Sequence, residues 1–529
     1  MMSNGHVGTV VSVLLLGLLL RPGASITVKT VNGDITGSNV GFVHQFVGIP
    51  YGESTGGANR WRDPIKRQPW KPNTLDATRW GASCPGSGLP GTSEDCLHIN
   101  VWTPSVDTSK DGLLPVLVWI HGGGFFTGAS SEGIYNGTNF ARTKNAVLVS
   151  LNYRLGALGF LPSETGTGNF GLRDQNLGLR WVQENIRAFG GDAARVTIFG
   201  QSAGACSVLD QLASPSSQNL FRAAAAISPV AIHCRTREMY RKHSEIMFRA
   251  LKCKSGDFEC MRNVADEEVV KHQMVGQYLF DLKDDERFNF LPWIPLCGDD
   301  FLPEDPSKVL VENGTFPGVE AVTLGNTAGE MGYFVPTLFN STFTTDSLIR
   351  LIFTKNNEQA IKQLYQADGA SSDYFKFVDI LSDAIVACYT RHIARGLTSP
   401  RENKAEVYLY EFQHPPSRGA NVKNWNHKGC DHMACHASDN VFYFNSIADI
   451  HLNNASFTPY EAALSNAMLN TMVALAAGGK GVYVPYNAEK DVRLQWGVKG
   501  SPTGKLHTTN VDYRQKFCNL WDTFNYSFS

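Results

Sequence analysis

Short apolar and β-branched runs recur along the chain at Val116–Ile120, Ala146–Leu151, Val196–Phe199, Ala223–Ile227, Ala321–Gly325 and Glu406–Phe412, and several lead into stretches with helical spacing. Runs of this length read as strands, and their alternation with helices predicts a mostly parallel sheet. Between Val196–Phe199 and Ala223–Ile227 lies Ala203–Ala213, of the length and composition of one crossover helix. Internal repeats and low-complexity linkers are absent, so residues 26–529 are expected to form one large α/β domain.

The amino-terminal segment breaks this pattern. Val10–Leu20 is an uninterrupted run, VVSVLLLGLLL, followed by small residues at Gly23, Ala24 and Ser25. A bilayer span takes about 20 apolar residues, so the run is too short to be one. It reads as the core of a signal peptide over residues 1–25, although the preceding segment carries neither Lys nor Arg. Sequons at Asn136, Asn313, Asn340, Asn454 and Asn525 agree with export. The carboxyl end, WDTFNYSFS, has no hydrophobic tail and no retention tetrapeptide, which makes secretion the expected destination.

Composition narrows the function classes. Lys and Arg number 47 against 49 Asp and Glu, for a formal net charge of −2, which argues against a partner bound by charge alone, such as nucleic acid. Eleven cysteines in an exported chain should mostly pair, and the odd total leaves at least one thiol over.

Two motifs carry chemistry. The strand RVTIF runs into Gly200-Gln201-Ser202-Ala203-Gly204, where small residues on both sides of the serine permit a sharp turn before a helix, the nucleophile-elbow pattern. Such a turn lifts the Ser202 hydroxyl to the carboxyl edge of the sheet and aims the Ala203 N–H at a developing oxyanion. After the strand VLVWI comes His121-Gly122-Gly123-Gly124-Phe125, whose bare backbone lets the Gly123 and Gly124 N–H groups approach a substrate carbonyl. Gly123, Gly124 and Ala203 are thus the expected oxyanion hole.

Together with Glu94-Asp95-Cys96-Leu97-His98-Ile99-Asn100-Val101 and the run from Phe189 to Gly204, these motifs resemble the type-B carboxylesterase/cholinesterase family of α/β-hydrolases. Gly48-Ile49-Pro50-Tyr51, Arg60-Trp61, Ser150–Phe160 and Gly168–Gln175 resemble further family segments, so the likeness spans the mature chain. It implies an α/β-hydrolase fold, a central mostly parallel sheet flanked by helices. It also implies a triad in the order serine, acid, histidine. The acid maps to Glu330 in GNTAGEMGYF, although Met331 stands where the family usually has Gly. The histidine maps to His436 in Ala434-Cys435-His436-Ala437-Ser438-Asp439, with Asp439 a supporting residue behind it. The resemblance further implies disulfides Cys84–Cys96, Cys253–Cys260 and Cys388–Cys518. Cys206 and Cys234 read as buried thiols, and Cys297 stands where relatives usually carry Asp, with no assigned role.

Two features qualify the likeness. Gln201 occupies a position where most relatives carry Glu, so a neutral amide replaces a charge beside His436. The loop between Cys84 and Cys96, PGSGLPGTSED, contains no aromatic residue to stack on a quaternary ammonium, which disfavours a choline ester as substrate. FNFLPW at Phe288–Trp293 is a candidate acyl-pocket wall that core packing explains equally well. The stretch holding His427, Cys430, His432, Cys435 and His436 invites a metal reading, but a Cys-x4-Cys pair in an exported chain more readily closes a local disulfide, and neither metal nor cofactor is required. The expected protein is a secreted serine carboxylic ester hydrolase acting on a small-molecule ester. A lipase-like hydrolase of longer acyl esters and a non-catalytic adhesion or recognition protein on the same scaffold are the alternatives. Natural substrate, chain-length preference and oligomeric state stay open.

Overall fold

A computed structural model describes residues 25–231, 234–274, 293–335, 355–366, 372–401, 405–417, 432–447, 456–498, 504–512 and 514–524, with single positions at 291, 346, 349, 430 and 526. The signal-peptide core, the sequons at Asn340, Asn454 and Asn525, His427 and most of Phe288–Trp293 lie outside the described residues.

Among the described residues thirteen strands form one sheet. They are β1 (Ser25–Lys29), β2 (Asp34–Val40), β3 (Val43–Pro50), β4 (Thr74–Asp76), β5 (His98–Thr103), β6 (Leu114–Ile120), β7 (Val147–Leu151), β8 (Gly191–Gln201), β9 (Ala223–Ile227), β10 (Ala321–Thr327), β11 (Glu406–Phe412), β12 (Arg493–Trp496) and β13 (His507–Asn510). The order is β1-β2-β3-β5-β7-β6-β8-β9-β10-β11-β12-β13, with β4 pairing β2. From β7 through β12 every pairing is parallel. The main path is antiparallel from β1 to β7 and again between β12 and β13.

The parallel centre explains why its strands read as unbroken apolar runs. In β6, Val116, Val118 and Ile120 enter one core, while Leu117 and Trp119 enter the core on the opposite face. Val147, Val149 and Leu151 of β7 likewise oppose Leu148. A strand covered by helices on both faces has no solvent side, so polar alternation disappears. The flanking strand β2, DITGSNV, alternates half-buried polar positions with buried ones, as a strand with one open face does.

Register places the site. Ile120 pairs with Gly200, Gln201 with Ile227, and Ile227 with Gly325, so β6, β8, β9 and β10 run out along one edge. The residues just beyond them, His121–Gly124, Ser202, Ser228 and the turn to Glu330, therefore emerge side by side, at the carboxyl ends where open α/β sheets hold their ligands. The crossover helix, α1 (Ala203–Ala213), begins immediately after Ser202. Its start demands small residues. A Cβ on Gly204 would lie 2.1 Å from the Ile120 carbonyl oxygen, and one on Gly200 would lie 2.4 Å from the Gly204 carbonyl oxygen.

Several of the segments that carry the family resemblance prove to be framework. Arg60 holds Glu94 through Nε at 2.8 Å and Nη2 at 2.5 Å, and its Nη1 donates to the Val264 carbonyl at 2.7 Å. Arg154 grips the buried Asp174 through Nε and Nη2 at 2.8 and 2.7 Å. These paired, charge-assisted bonds tie the loops after β3 and β7 to their neighbours.

Candidate active site

Ser202 sits at φ 59° and ψ −126°, a conformation that side-chain-bearing residues rarely adopt. The turn is held from both sides: the Ser202 N–H donates to the Ile227 carbonyl at 2.9 Å, and the Cys206 N–H donates to the Ser202 carbonyl at 2.9 Å. Gly123, at φ 111°, packs so closely that a Cβ there would lie 2.1 Å from the Thr127 carbonyl oxygen. A Cβ on Gly122 would lie 3.2 Å from the Ser202 Cβ, so the glycine loop runs directly over the elbow. His121, preceding that loop, is a structural residue. Burial lowers its pKa to about 4, its Nδ1 bonds the Gly122 carbonyl oxygen at 2.8 Å, and its ring stacks on Tyr153 at 4.4 Å.

Glu330 follows β10 in a short 3-10 turn and is completely buried. Its carboxylate takes three donors: the Ser228 hydroxyl at 2.6 Å and the Thr327 N–H at 2.5 Å on Oε1, and His436 Nδ1 at 2.5 Å on Oε2. The backbone repeats the link, since the His436 N–H donates to the Glu330 carbonyl at 3.2 Å and Gly329 bridges Cys435. With a carboxylate on Nδ1, the neutral imidazole carries its proton there and turns its Nε2 lone pair outward. That nitrogen faces the elbow, 3.0 Å from Nε2 of Gln201. The Phe334 ring lies 5.4 Å from the imidazole.

Seven expected site residues thus gather at one sheet edge: Gln201, Ser202, Ala203, Glu330, His436, Gly123 and Gly124. Asp439 stands behind the histidine and is fully buried, with Tyr410 donating to its Oδ2 at 3.1 Å. Sequence reading missed Ser228, Tyr410, Phe334 and Asn440, whose Nδ2 lies 3.5 Å from Gln201 Oε1. Ser228 had a visible signal, because it directly follows the strand AAAAI at the same carboxyl edge as Ser202. Tyr410 and Asn440 had none, since their roles come from packing across elements.

A profile of the carboxylesterase family matches residues 24–517. The chain belongs to the carboxylesterase family. It is 31% identical over 469 residues to para-nitrobenzyl esterase of Bacillus subtilis, covering 85% of this chain and 90% of that one. It is 30% identical over 562 residues to acetylcholinesterase of Bungarus fasciatus, with 94% and 86% covered. Carboxylesterase 1E of Mus musculus is 31% identical over 452 residues, with 76% and 78% covered. A solved PNB esterase structure superposes with a TM-score of 0.77 at 27% identity, over 94% of this chain and 99% of that chain. By this membership the protein is a carboxylic ester hydrolase on the α/β-hydrolase fold.

The cysteines of this carboxylesterase-family chain correct one expectation. Cys84–Cys96, Cys253–Cys260 and Cys388–Cys518 are bonded, as the family resemblance implied, and Cys430 closes a local disulfide with Cys435. Cys234, expected as a buried thiol, is instead half-buried and bonded to Cys297, which gives Cys297 its role. The two are 63 residues apart, and nothing local to either marked them as partners. Isolated Arg235–Leu296 pairing, one residue along on each side, brings them together. Cys206 is the free thiol, buried in α1 with its pKa pushed up by desolvation, so it is poorly placed as a nucleophile.

Asp439 gives a pH signature. Burial, reinforced by the nearby Glu330 charge, raises its pKa from 3.8 to about 7. Between those values the unfolded chain releases a proton that the folded chain keeps. Stability is therefore full below about pH 4, falls as pH rises, and has lost its whole contribution above about 7. At 1.36 kcal/mol per unit the loss is on the order of 4 kcal/mol. D439N abolishes this titration, so its melting temperature should exceed that of the parent at pH 7.5 and the gap should close by pH 4. A gap that does not vary with pH contradicts the raised pKa.

Proposed function

We propose that this carboxylesterase-family protein is an exported serine hydrolase, residues 26–529 forming its catalytic domain behind a signal peptide of residues 1–25. Ser202 is the nucleophile, His436 the base and Glu330 the acid that orients it. His436 Nε2 takes the hydroxyl proton as Ser202 Oγ adds to the ester carbonyl. The Gly123, Gly124 and Ala203 N–H groups stabilise the oxyanion. The tetrahedral adduct collapses with loss of the alkoxide, which takes the proton from His436 and leaves as the alcohol. Water then gives its proton to His436, adds to the acyl-enzyme, and frees the acid with Ser202 restored.

The observation carrying this reading is the 2.5 Å contact between the buried Glu330 and His436 Nδ1, with Nε2 turned toward the elbow. Glu330 fixes the tautomer whose lone pair can accept the serine proton and stabilises the imidazolium that results. Retention of all three residues weighs against the non-catalytic scaffold reading.

Export is supported by the five disulfides, which persist in oxidising compartments. Asn313 is exposed and Asn136 half-buried, positions at which glycans are proposed. Among the described residues no helix is long and apolar enough to cross a membrane.

The test is labelling with diethyl p-nitrophenyl phosphate. One nitrophenolate should be released per chain, ester hydrolysis should stop, and the diethylphosphoryl group should be found on the peptide containing Ser202. Persistent hydrolysis without a label there overturns the proposed nucleophile. A p-nitrophenyl ester series from acetate to palmitate then separates esterase from lipase preference.

A further inference from the structure

Gln201 does more than precede the nucleophile. Its side chain is buried and runs beneath the glycine loop, its Oε1 lying 3.2 Å from where a Gly122 Cβ would stand. Its Nε2 reaches His436 Nε2 at 3.0 Å, and Asn440 Nδ2 lies 3.5 Å from Oε1, on the side where a donor belongs. The orientation follows from chemistry. Glu330 holds the ring proton on Nδ1, so Nε2 of the neutral ring can only accept, and only the NH2 end of the amide can meet it.

We propose that Gln201 is a positioning residue that holds His436 neutral in the resting enzyme by donating its amide N–H to the lone pair that must later accept the Ser202 proton. The inference rests on the triad reading above and deepens it. A carboxylate at position 201 could not make this bond, because it has no proton to give, and it would favour the protonated ring instead. The amide N–H therefore occupies the lone pair of the unprotonated ring, competing with Ser202 for it. When the serine proton arrives, Nε2 becomes a donor and the amide N–H can no longer face it. A half-turn of the terminal amide then presents Oε1 to the imidazolium, provided Asn440 turns with it so that its unpartnered Oδ1 accepts from the displaced NH2.

Among the described residues, the titratable groups facing this ring are Glu330 at Nδ1 and Asp439 behind it, the latter bonded to Tyr410. Neither occupies Nε2. The acid limb of kcat/KM reports the proton on the free enzyme's base, so it reads the Gln201 contact directly.

The experiment compares that limb in the parent, Q201E and Q201M, with p-nitrophenyl acetate as substrate. Repeating the set on D439N keeps the ionisation of Asp439 out of the profile. Q201E should move the limb to higher pH by about one unit or more, the usual effect of an adjacent opposite charge. Q201M, similar in length but without a donor, should move it the same way by less. A limb that stays in place or moves to lower pH in either folded variant overturns the proposal. Melting curves establish folding, and if Q201E does not fold the Q201M limb decides. Phosphoryl labelling of the parent separates the two readings: a chain unlabelled at Ser202 overturns the triad and this inference together, whereas a labelled chain with an unmoved limb overturns only the role of Gln201.

Discussion

Ser202→Ala is expected to lower p-nitrophenyl ester turnover by on the order of 10⁴- to 10⁶-fold while leaving the melting temperature close to that of the parent. The fold should survive because the elbow is held by backbone. The N–H and carbonyl of residue 202 bond Ile227 and Cys206, and an alanine keeps both bonds and the same Cβ at the same strained φ. What disappears is the hydroxyl oxygen that the proposed mechanism bonds to the acyl group. The proposed oxyanion donors would remain, so a residue of catalysis above water should persist without any burst of nitrophenolate. The loss should be the same for acetate and for longer acyl esters, since it removes the chemical step and leaves binding alone. A variant within tenfold of the parent would place the nucleophile elsewhere, and the buried Cys206 one turn along α1 would be the first residue to substitute.

The legible part of this chain was its parallel centre and the elbow. Ala203–Ala213, Ala223–Ile227 and Glu406–Phe412 were bounded as the structure has them, because strands buried on both faces and a helix following a Gly-x-Ser-x-Gly turn leave strong local signatures. The antiparallel flank, β1 to β5, was not read. A strand such as β2 mixes Asp, Thr, Ser and Asn with a few apolar residues, and its pairing with β3 comes from tertiary contacts. The site divides the same way. Ser202 and the glycine loop announced themselves through backbone constraints that small residues alone satisfy. Glu330 and His436 lie 106 residues apart and were placed only by family resemblance, since no local pattern tells a buried acid from a surface one. The resemblance set the Gln201 amide beside His436 but not which of its ends faces the ring, because that depends on the ring's tautomer, which is set by a third residue, Glu330.

Glu330→Gln should reduce kcat by on the order of 10³- to 10⁴-fold, and the cause would be the position of a proton more than the loss of a charge. Three donors converge on this carboxylate, from Ser228, Thr327 and His436. An amide offers one acceptor oxygen and one NH2, so it cannot satisfy all three. If the NH2 turns to His436, the ring must accept on Nδ1 and carry its proton on Nε2, where it cannot take the serine proton. If the oxygen turns to His436, the NH2 meets the Thr327 N–H, leaving a buried donor without an acceptor at a cost of about 1–3 kcal/mol. The Ser228 hydroxyl can rotate to accept, whereas a backbone N–H cannot, which favours the first arrangement and hence a folded but slow enzyme. Phosphoryl labelling of Ser202 should slow in proportion to kcat, because both reactions need the same base. A loss below tenfold would reduce Glu330 to an anchor for the turn after β10 and return the base assignment of His436 to question.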